Sequence, residues 1–245
     1  MRDKERVNVE VYDVNAYRLQ RCLTVPNAQS VYDITSCEHY HCLYIGDPSA
    51  ECVHRLDRHG AATRWPVNDF PLGLSVNAAH NVIVTCPDVR KIKEFSSHGK
   101  LLRELTLPDD VINPWHTIQS RSGQFIVCRG PGDDEGEGDD PINRVCMISA
   151  DGRHIVHSHG GRYCMSFHLA VDDNECVYVV YIDNWRSWVT LLSPTLNYLR
   201  EVVTSDKLKG CPFTLYLDVQ RRRLYVADND TEDDDSMGRV VVFSV

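Results

Sequence analysis

Apolar and polar residues alternate along most of this chain, and one pattern of strands returns five times. Each copy has an apolar strand, a polar turn, a second apolar strand and then a strand that opens with a basic residue beside an apolar one. The copies recur every 40 to 51 residues and begin at Ile34, Leu74, Ile118, Leu169 and Leu215. A period of this length without helical periodicity is typical of a β-propeller, in which each repeat builds one four-stranded blade. The pattern therefore predicts an all-β propeller.

The two ends of the chain leave the number of blades open. Four complete repeats span 31–68, 72–108, 114–158 and 166–204, and a final unit of three strands spans 213–245. Residues 7–25 alternate like the last two strands of a repeat. This segment either supplies the missing outer strand of the final unit, which closes a ring of five blades, or is the remnant of a sixth blade. Because residues 7–14 duplicate a strand type that the final unit already has, the pattern favours an incomplete six-bladed ring.

One propeller domain is expected over residues 1–245, because the repeat runs nearly from end to end. Residues 1–6 form a charged N-terminal tail, and residues 131–142 and 228–237 form acidic loops, the first of which explains the longest repeat interval. No apolar run approaches the roughly 18 residues of a membrane span, and the charged N-terminus does not resemble a signal region. These features predict a soluble cytoplasmic protein that does not bind a membrane.

The ten cysteines do not show metal-ligand spacing, since no Cys-x-x-Cys pair occurs. Most of them fall within or beside predicted strands: Cys37, Cys42, Cys52, Cys86, Cys128, Cys146 and Cys176. A buried thiol behaves as a small apolar side chain, and disulfides are rare inside cells. We therefore expect reduced structural thiols, with disulfides as the alternative.

A net charge of −9 disfavours a broad attraction to nucleic acid. The segments 133–140 and 228–235 hold 12 of the 35 carboxylates, so the rest of the chain is close to neutral. The basic runs 90–93 and 221–223 then remain as candidate positive patches.

Several repeats share finer features. Leu169-Ala170-Val171-Asp172 is followed by Asp183-Asn184-Trp185-Arg186, and Leu224-Tyr225-Val226-Ala227-Asp228-Asn229 is followed by Gly238-Arg239-Val240. This pattern resembles the NHL repeat, and the whole chain is similar to the C-terminal propellers of invertebrate tripartite-motif (TRIM)-like NHL proteins. The resemblance implies a non-catalytic scaffold that recognises a protein partner through loops on one face. It further implies the substrate-recognition module of a ubiquitin-ligase-type protein, or alternatively an RNA-binding propeller.

Two enzymatic alternatives rest on resemblance to other propellers. His116 and His168 head the first strands of consecutive repeats, and amidating lyases of the NHL type place zinc-binding histidines at similar positions. Zinc usually needs three protein ligands and an open position, so this pair is a weak candidate. A gluconolactonase-like hydrolase would hold a divalent ion with oxygen ligands. The recurring oxygen-bearing residues stand at strand ends, where they suit turn capping: Asp33, Asn77, Asp172 and Asp218. No cofactor, metal or small-molecule substrate is therefore expected.

The binding hypothesis needs aromatic and basic side chains on one face, because such residues anchor many interfaces. The candidates from strand ends and third strands are Trp65, Arg90, Lys91, Lys93, Trp115, His116, Arg144, His168, Trp185 and Arg186. The alternative is structural: the rings fill gaps between blades, and the arginines join neighbouring blades.

Overall fold

The computed structural model describes residues 7–129, 143–160, 165–183, 186–208, 210–229 and 238–245. The predicted tail 1–6, the acidic loop 131–142, residues 230–237 of the second acidic loop and Trp185 lie outside these residues. The described chain forms antiparallel sheets, and its one helical element is a short 3-10 turn, η1 (Pro48–Ala50). The structure divides into two compact units, Met1–Glu104 and Leu105–Val245. The prediction of one domain is not tested by this division.

The first unit contains a two-stranded sheet followed by two blades. The sheet pairs β1 (Asn8–Tyr12) with β2 (Leu19–Thr24). Blade 1 is a meander of β3 (Ile34–Cys37), β4 (Cys42–Asp47), β5 (Cys52–Asp57) and β6 (Ala62–Pro66). Blade 2 follows the same order with β7 (Gly73–Val76), β8 (Val82–Cys86), β9 (Lys91–Phe95) and β10 (Leu101–Thr106).

The second unit continues the repeat with three further blades. Blade 3 is built from β11 (Pro114–Gln119), β12 (Phe125–Arg129), β13 (Asn143–Ile148) and β14 (Ile155–Gly160). Blade 4 is built from β15 (Met165–Val171), β16 (Val177–Asp183), β17 (Arg186–Leu192) and β18 (Tyr198–Val203). Blade 5 has three described strands, β19 (Cys211–Asp218), β20 (Arg223–Asn229) and β21 (Gly238–Ser244).

The predicted fold class is confirmed, because five antiparallel blades follow one another with the period that the sequence shows. The second strand is almost wholly buried in blades 1 to 4, as in β8 and β12. The fourth strand alternates between exposed and half-buried positions, as in β10. Residues 7–25 form the two-stranded sheet β1–β2, whose Val9 and Leu23 pack with Ile45 and Leu56 of blade 1.

The core of the first unit lies between blades 1 and 2. Tyr44 and Trp65 of blade 1 pack against apolar residues of blade 2, including Leu74, Val84 and Phe95. In the second unit one cluster joins blades 3 and 4 and another joins blades 4 and 5. Six of the predicted strand cysteines are buried, as expected for small apolar side chains: Cys37, Cys42, Cys52, Cys86, Cys128 and Cys146.

Gly99 closes the β9–β10 turn directly beneath the ring of Trp65. Its φ is +85°, and a Cβ at this position would lie 2.5 Å from two ring atoms of Trp65. Gly60 closes the equivalent turn in blade 1 at φ +89°, where a Cβ would meet its nearest side-chain atom, on Leu23, at an ordinary 3.5 Å.

We expect Gly99→Ala to lower the free energy of unfolding more than Gly60→Ala does. Both changes carry the cost of a left-handed conformation, about 1–2 kcal/mol, but only Gly99→Ala also overpacks the core, which adds about 1–3 kcal/mol. Urea denaturation of the two variants measures the difference. Equal losses would show that Trp65 does not press on this turn.

Candidate functional site

Two of the basic residues predicted for binding are held by carboxylates in blade 2. The ammonium group of Lys93 is buried, pairs with Asp69, donates to the Val67 carbonyl at 2.8 Å and lies 3.4 Å from Glu104. Lys91 binds the same Glu104 at 2.6 Å. Burial lowers the pKa of Lys93, but the hydrogen bond that Lys93 donates to Asp69 and the negative charges of Asp69 and Glu104 together outweigh burial, so the pKa of Lys93 is raised. This network neutralises the two lysines in the basic run of blade 2.

The other predicted binding residues are spread over both units. Trp65 is 6% exposed, so its ring belongs to the core of the first unit. Arg90 is half-buried in the turn before β9, and Arg186 is exposed at the start of β17. Arg144 lies in β13, and its side chain is not among the described ones.

His116 and His168 come together in the second unit. They lie on β11 and β15, the first strands of blades 3 and 4, and their rings stack with centroids 3.8 Å apart. The neighbouring Trp115 and Phe167 meet edge to face at 4.6 Å. One nitrogen of each ring lies within 4.8 Å of the other, a spacing that two ligands of one ion can adopt.

Three of the four recurring carboxylate and amide side chains hold turns within their own units. Asp172 accepts the backbone N–H groups of Asn174 and Cys176, both at 2.9 Å. Asn77, Asp33 and Asp218 likewise accept backbone N–H groups. Turn capping, the alternative noted from the sequence, therefore accounts for Asn77, Asp172 and Asp218. Asp33 instead accepts the N–H groups of Ile34 and of Leu74, and so joins blade 1 to the first strand of blade 2.

A group of exposed and half-buried rings that the sequence did not predict as a site lies on the first unit. It consists of His39, Tyr40, His80 and His98, and is called here the His–Tyr cluster. His39 and His80 stack with centroids 4.2 Å apart and an interplanar angle of 6°. The Tyr40 ring meets His39 at 4.6 Å, His80 at 5.9 Å and His98 at 6.1 Å, each near edge to face. Tyr40 remains 37% exposed.

Three turns bring these rings together, and each turn is fixed by hydrogen bonds. His39 and Tyr40 stand in the β3–β4 turn, His80 in the β7–β8 turn and His98 in the β9–β10 turn. Asn77 Oδ1 accepts the N–H groups flanking His80, from Ala79 at 3.0 Å and Asn81 at 2.9 Å. The Ser97 hydroxyl lies 2.8 Å from His98 Nδ1. The cluster is thus built on a scaffold that holds its backbone in place.

The sequence offered one signal for this cluster. The segment 38–41 departs from the repeat pattern and carries His39, Tyr40 and His41, whereas the equivalent turns of blades 3 to 5 have no histidine or aromatic residue. His80 and His98 are each the only aromatic-type residue in their turn. The cluster therefore becomes visible only when blades 1 and 2 are seen packed side by side.

Comparisons with known proteins support the fold and leave the family open. Solved structures of β-propellers match this chain over most of its length. A protein of unknown function from Bacteroides caccae is 13% identical, with 97% of this chain and 86% of that chain covered and a TM-score of 0.71. A virginiamycin B lyase from Staphylococcus aureus, determined as a catalytically inactive histidine variant with quinupristin, is 11% identical, with 95% and 76% covered and a TM-score of 0.65.

A putative gluconolactonase is 12% identical, with 89% of this chain and 79% of that chain covered and a TM-score of 0.62. No family model matches the chain, and no curated protein matches it. At these identities the likeness concerns the fold alone, and the structures include enzymes as well as a protein of unknown function. Across the described part of the chain, no helix is long and apolar enough to cross a membrane.

Proposed function

We propose that this propeller is a non-catalytic binding module that holds a protein partner on the His–Tyr cluster. The observation that carries the proposal is the set of four rings gathered from three fixed turns of two adjacent blades. Aromatic rings supply large contact area at a low entropic cost, and a prearranged surface lowers the cost of binding further. In keeping with the resemblance to NHL propellers of TRIM-like proteins, the partner would be a substrate that a ubiquitin-ligase-type assembly captures.

A protein partner fits the charge of this surface better than RNA does. RNA binding depends on cations that neutralise phosphates, and the chain carries a net charge of −9. Lys91 and Lys93, two basic residues of blade 2, are bound to Glu104 and Asp69. Phosphate groups would have to displace these carboxylates.

The proposal is tested by photocross-linking from the cluster. A benzophenone amino acid is placed at Tyr40 and, as a matched control, at Tyr198, which is 57% exposed on β18 of the second unit. We expect a protein adduct from position 40 alone, retained after ribonuclease treatment and in high salt, and lost when His39→Ser and His80→Ser are added. The same adducts from both positions, or adducts that ribonuclease removes, would contradict the proposal.

A second candidate function rests on the stacked pair of His116 and His168. It is a metal-dependent hydrolase or lyase, in line with the enzymes that share the fold. Metal analysis of the purified protein and of His116→Ala separates the two proposals. One bound ion per chain that is lost in His116→Ala supports the enzyme, whereas the His–Tyr cluster would be unaffected by that change.

A further inference from the structure

Three ligand-type side chains converge in blade 1, at a place unrelated to the His–Tyr cluster. Asp47 ends β4 and Cys52 begins β5, and the two are direct cross-strand partners. His54 follows Cys52 by two residues and therefore points to the same side of the sheet. The 3-10 turn η1 connects the two strands and brings Asp47 opposite Cys52.

The distances within this group match those around a tetrahedral metal ion. His54 Nε2 lies 3.5 Å from Cys52 Sγ and 3.2 Å from Asp47 Oδ2, and all three ligand atoms lie within 4.8 Å of one another. With zinc bonds of about 2.3 Å to sulfur and about 2.0 Å to nitrogen and oxygen, tetrahedral angles place S and N about 3.5 Å apart, and N and O about 3.3 Å apart. The side chains would need little movement to ligate.

The carboxylate of Asp47 is oriented as a ligand by its surroundings. Its Oδ1 accepts the backbone N–H groups of Ser30 at 3.1 Å and Ala50 at 3.2 Å, and its Oδ2 accepts that of Gln29 at 2.8 Å. A carboxylate offers about four acceptor directions, so one direction on Oδ2 remains, and it faces His54. Fixed outer hydrogen bonds of this kind are typical of metal-binding carboxylates.

Because these three side chains are buried, the site with a bound cation is favoured over the same site without one. Asp47 is 0%, His54 1% and Cys52 4% exposed. One doubly charged cation with a thiolate and a carboxylate leaves no net charge in this low-dielectric place, whereas Asp47 without a cation leaves a buried anion. The metal would replace the proton between His54 Nε2 and Asp47 Oδ2, so the neutral imidazole would carry its proton on Nδ1. The Cys52 thiol would lose its proton to solvent as the metal–sulfur bond forms.

A pocket gives this group access from outside. It has a volume of about 410 Å³ and is lined by Gln29, Ala50, Cys52, Arg64, Trp65 and Pro66. Because Cys52 belongs to the lining, an ion bound to its sulfur would have room on that side for a fourth ligand. Arg64 is exposed and would favour an anionic ligand there. Three protein ligands with an open fourth position are the arrangement of zinc sites that exchange their fourth ligand.

We propose that Asp47, Cys52 and His54 bind one divalent metal ion of the zinc type, with the fourth position open to the pocket. The mixture of sulfur, nitrogen and oxygen ligands selects zinc or cobalt over calcium and magnesium. This proposal is independent of the protein-binding surface. The sequence hides the site, because Cys-x-His is too short a motif to stand out and Asp47 becomes its neighbour only through the hairpin.

The test is titration of the full chain, reduced with a non-chelating reductant, with Co²⁺ and then Zn²⁺. We expect one equivalent of cobalt to produce a thiolate-to-cobalt charge-transfer band and the intense visible bands of a tetrahedral complex, and zinc to abolish both. Cys52→Ser should remove the charge-transfer band, and His54→Gln should weaken binding at least tenfold. Cys37→Ser is the matched control. It removes a buried thiol that pairs with Cys42 elsewhere in this blade and does not belong to the proposed site.

X-ray absorption of the zinc-loaded unmodified chain keeps the test independent of how the variants fold. We expect one sulfur at about 2.3 Å and the remaining nitrogen or oxygen ligands at about 2.0 Å. A shell without sulfur, a charge-transfer band that survives Cys52→Ser, or a band that disappears in Cys37→Ser would overturn the proposal. Failure here would leave the protein-binding proposal unaffected.

Discussion

Trp65→Ala is expected to lower the free energy of unfolding by about 3–5 kcal/mol, the usual cost of removing a buried aromatic ring. The ring meets Tyr44 at 5.9 Å and Phe95 at 6.2 Å, and the backbone of Gly99 closes over it. Removing it therefore leaves a cavity between blades 1 and 2 that their strands cannot readily fill.

Equilibrium denaturation in urea measures this loss, with Thr63→Ala as the control on the same strand. Thr63 is exposed, so its change should stay within about 0.5 kcal/mol. A loss below about 1 kcal/mol for Trp65→Ala would mean that the ring is available at the surface, as the binding hypothesis first assumed.

Asp47→Ala is expected to cost about 3 kcal/mol or more in the presence of a chelator. The change removes the acceptor for three backbone N–H groups and for His54, and each buried donor left without a partner costs about 1–3 kcal/mol. Asp47→Asn retains the shape and part of the hydrogen bonding and should therefore cost less. Equal stability of Asp47→Ala and the unmodified chain would contradict the buried network on which the metal proposal depends.

The acid dependence of stability gives a second measurement on the same residue. Burial raises the pKa of Asp47, but the N–H groups of Gln29 and Ser30, with His54 and Ala50, outweigh it and lower the pKa below 3.8. A lowered folded-state pKa stabilises the protein above the unfolded value, and this contribution is lost as the pH falls through the folded value. The stability difference between the unmodified chain and Asp47→Asn should therefore be full near neutral pH and shrink below about pH 4.

The blades could be predicted from the sequence. Each strand buries one or both of its faces, and the apolar residues along the strand mark the buried face. The repeat starts at Ile34 and Leu74 fall at or beside the first residues of β3 and β7. The ends could not be assigned, since β1 and β2 alternate like any pair of outer strands. Only the pairing of β1 with β2 shows that this segment forms a sheet of its own.

The prediction of site residues was limited by contacts between residues that lie far apart in the sequence. Trp65 was a candidate anchor because it ends a strand, yet the neighbouring blade buries it. Lys93 was a candidate cation, but Asp69 lies far from it in sequence and close in space. The rings of the His–Tyr cluster come from turns that only the packing of blades 1 and 2 brings together, so the unusual segment 38–41 could not by itself reveal the group.

The affinity of the cross-linked partner for the purified propeller shows whether the His–Tyr cluster holds that partner. The measurement compares the unmodified chain with a variant that combines Tyr40→Ser and His80→Ser, and with Tyr198→Ser as the control. We expect the double variant to lose at least a hundredfold in affinity, as for two anchor residues worth about 2 kcal/mol or more each, and the control to lose none. Equal affinity for all three proteins would show that the partner does not bind on the His–Tyr cluster.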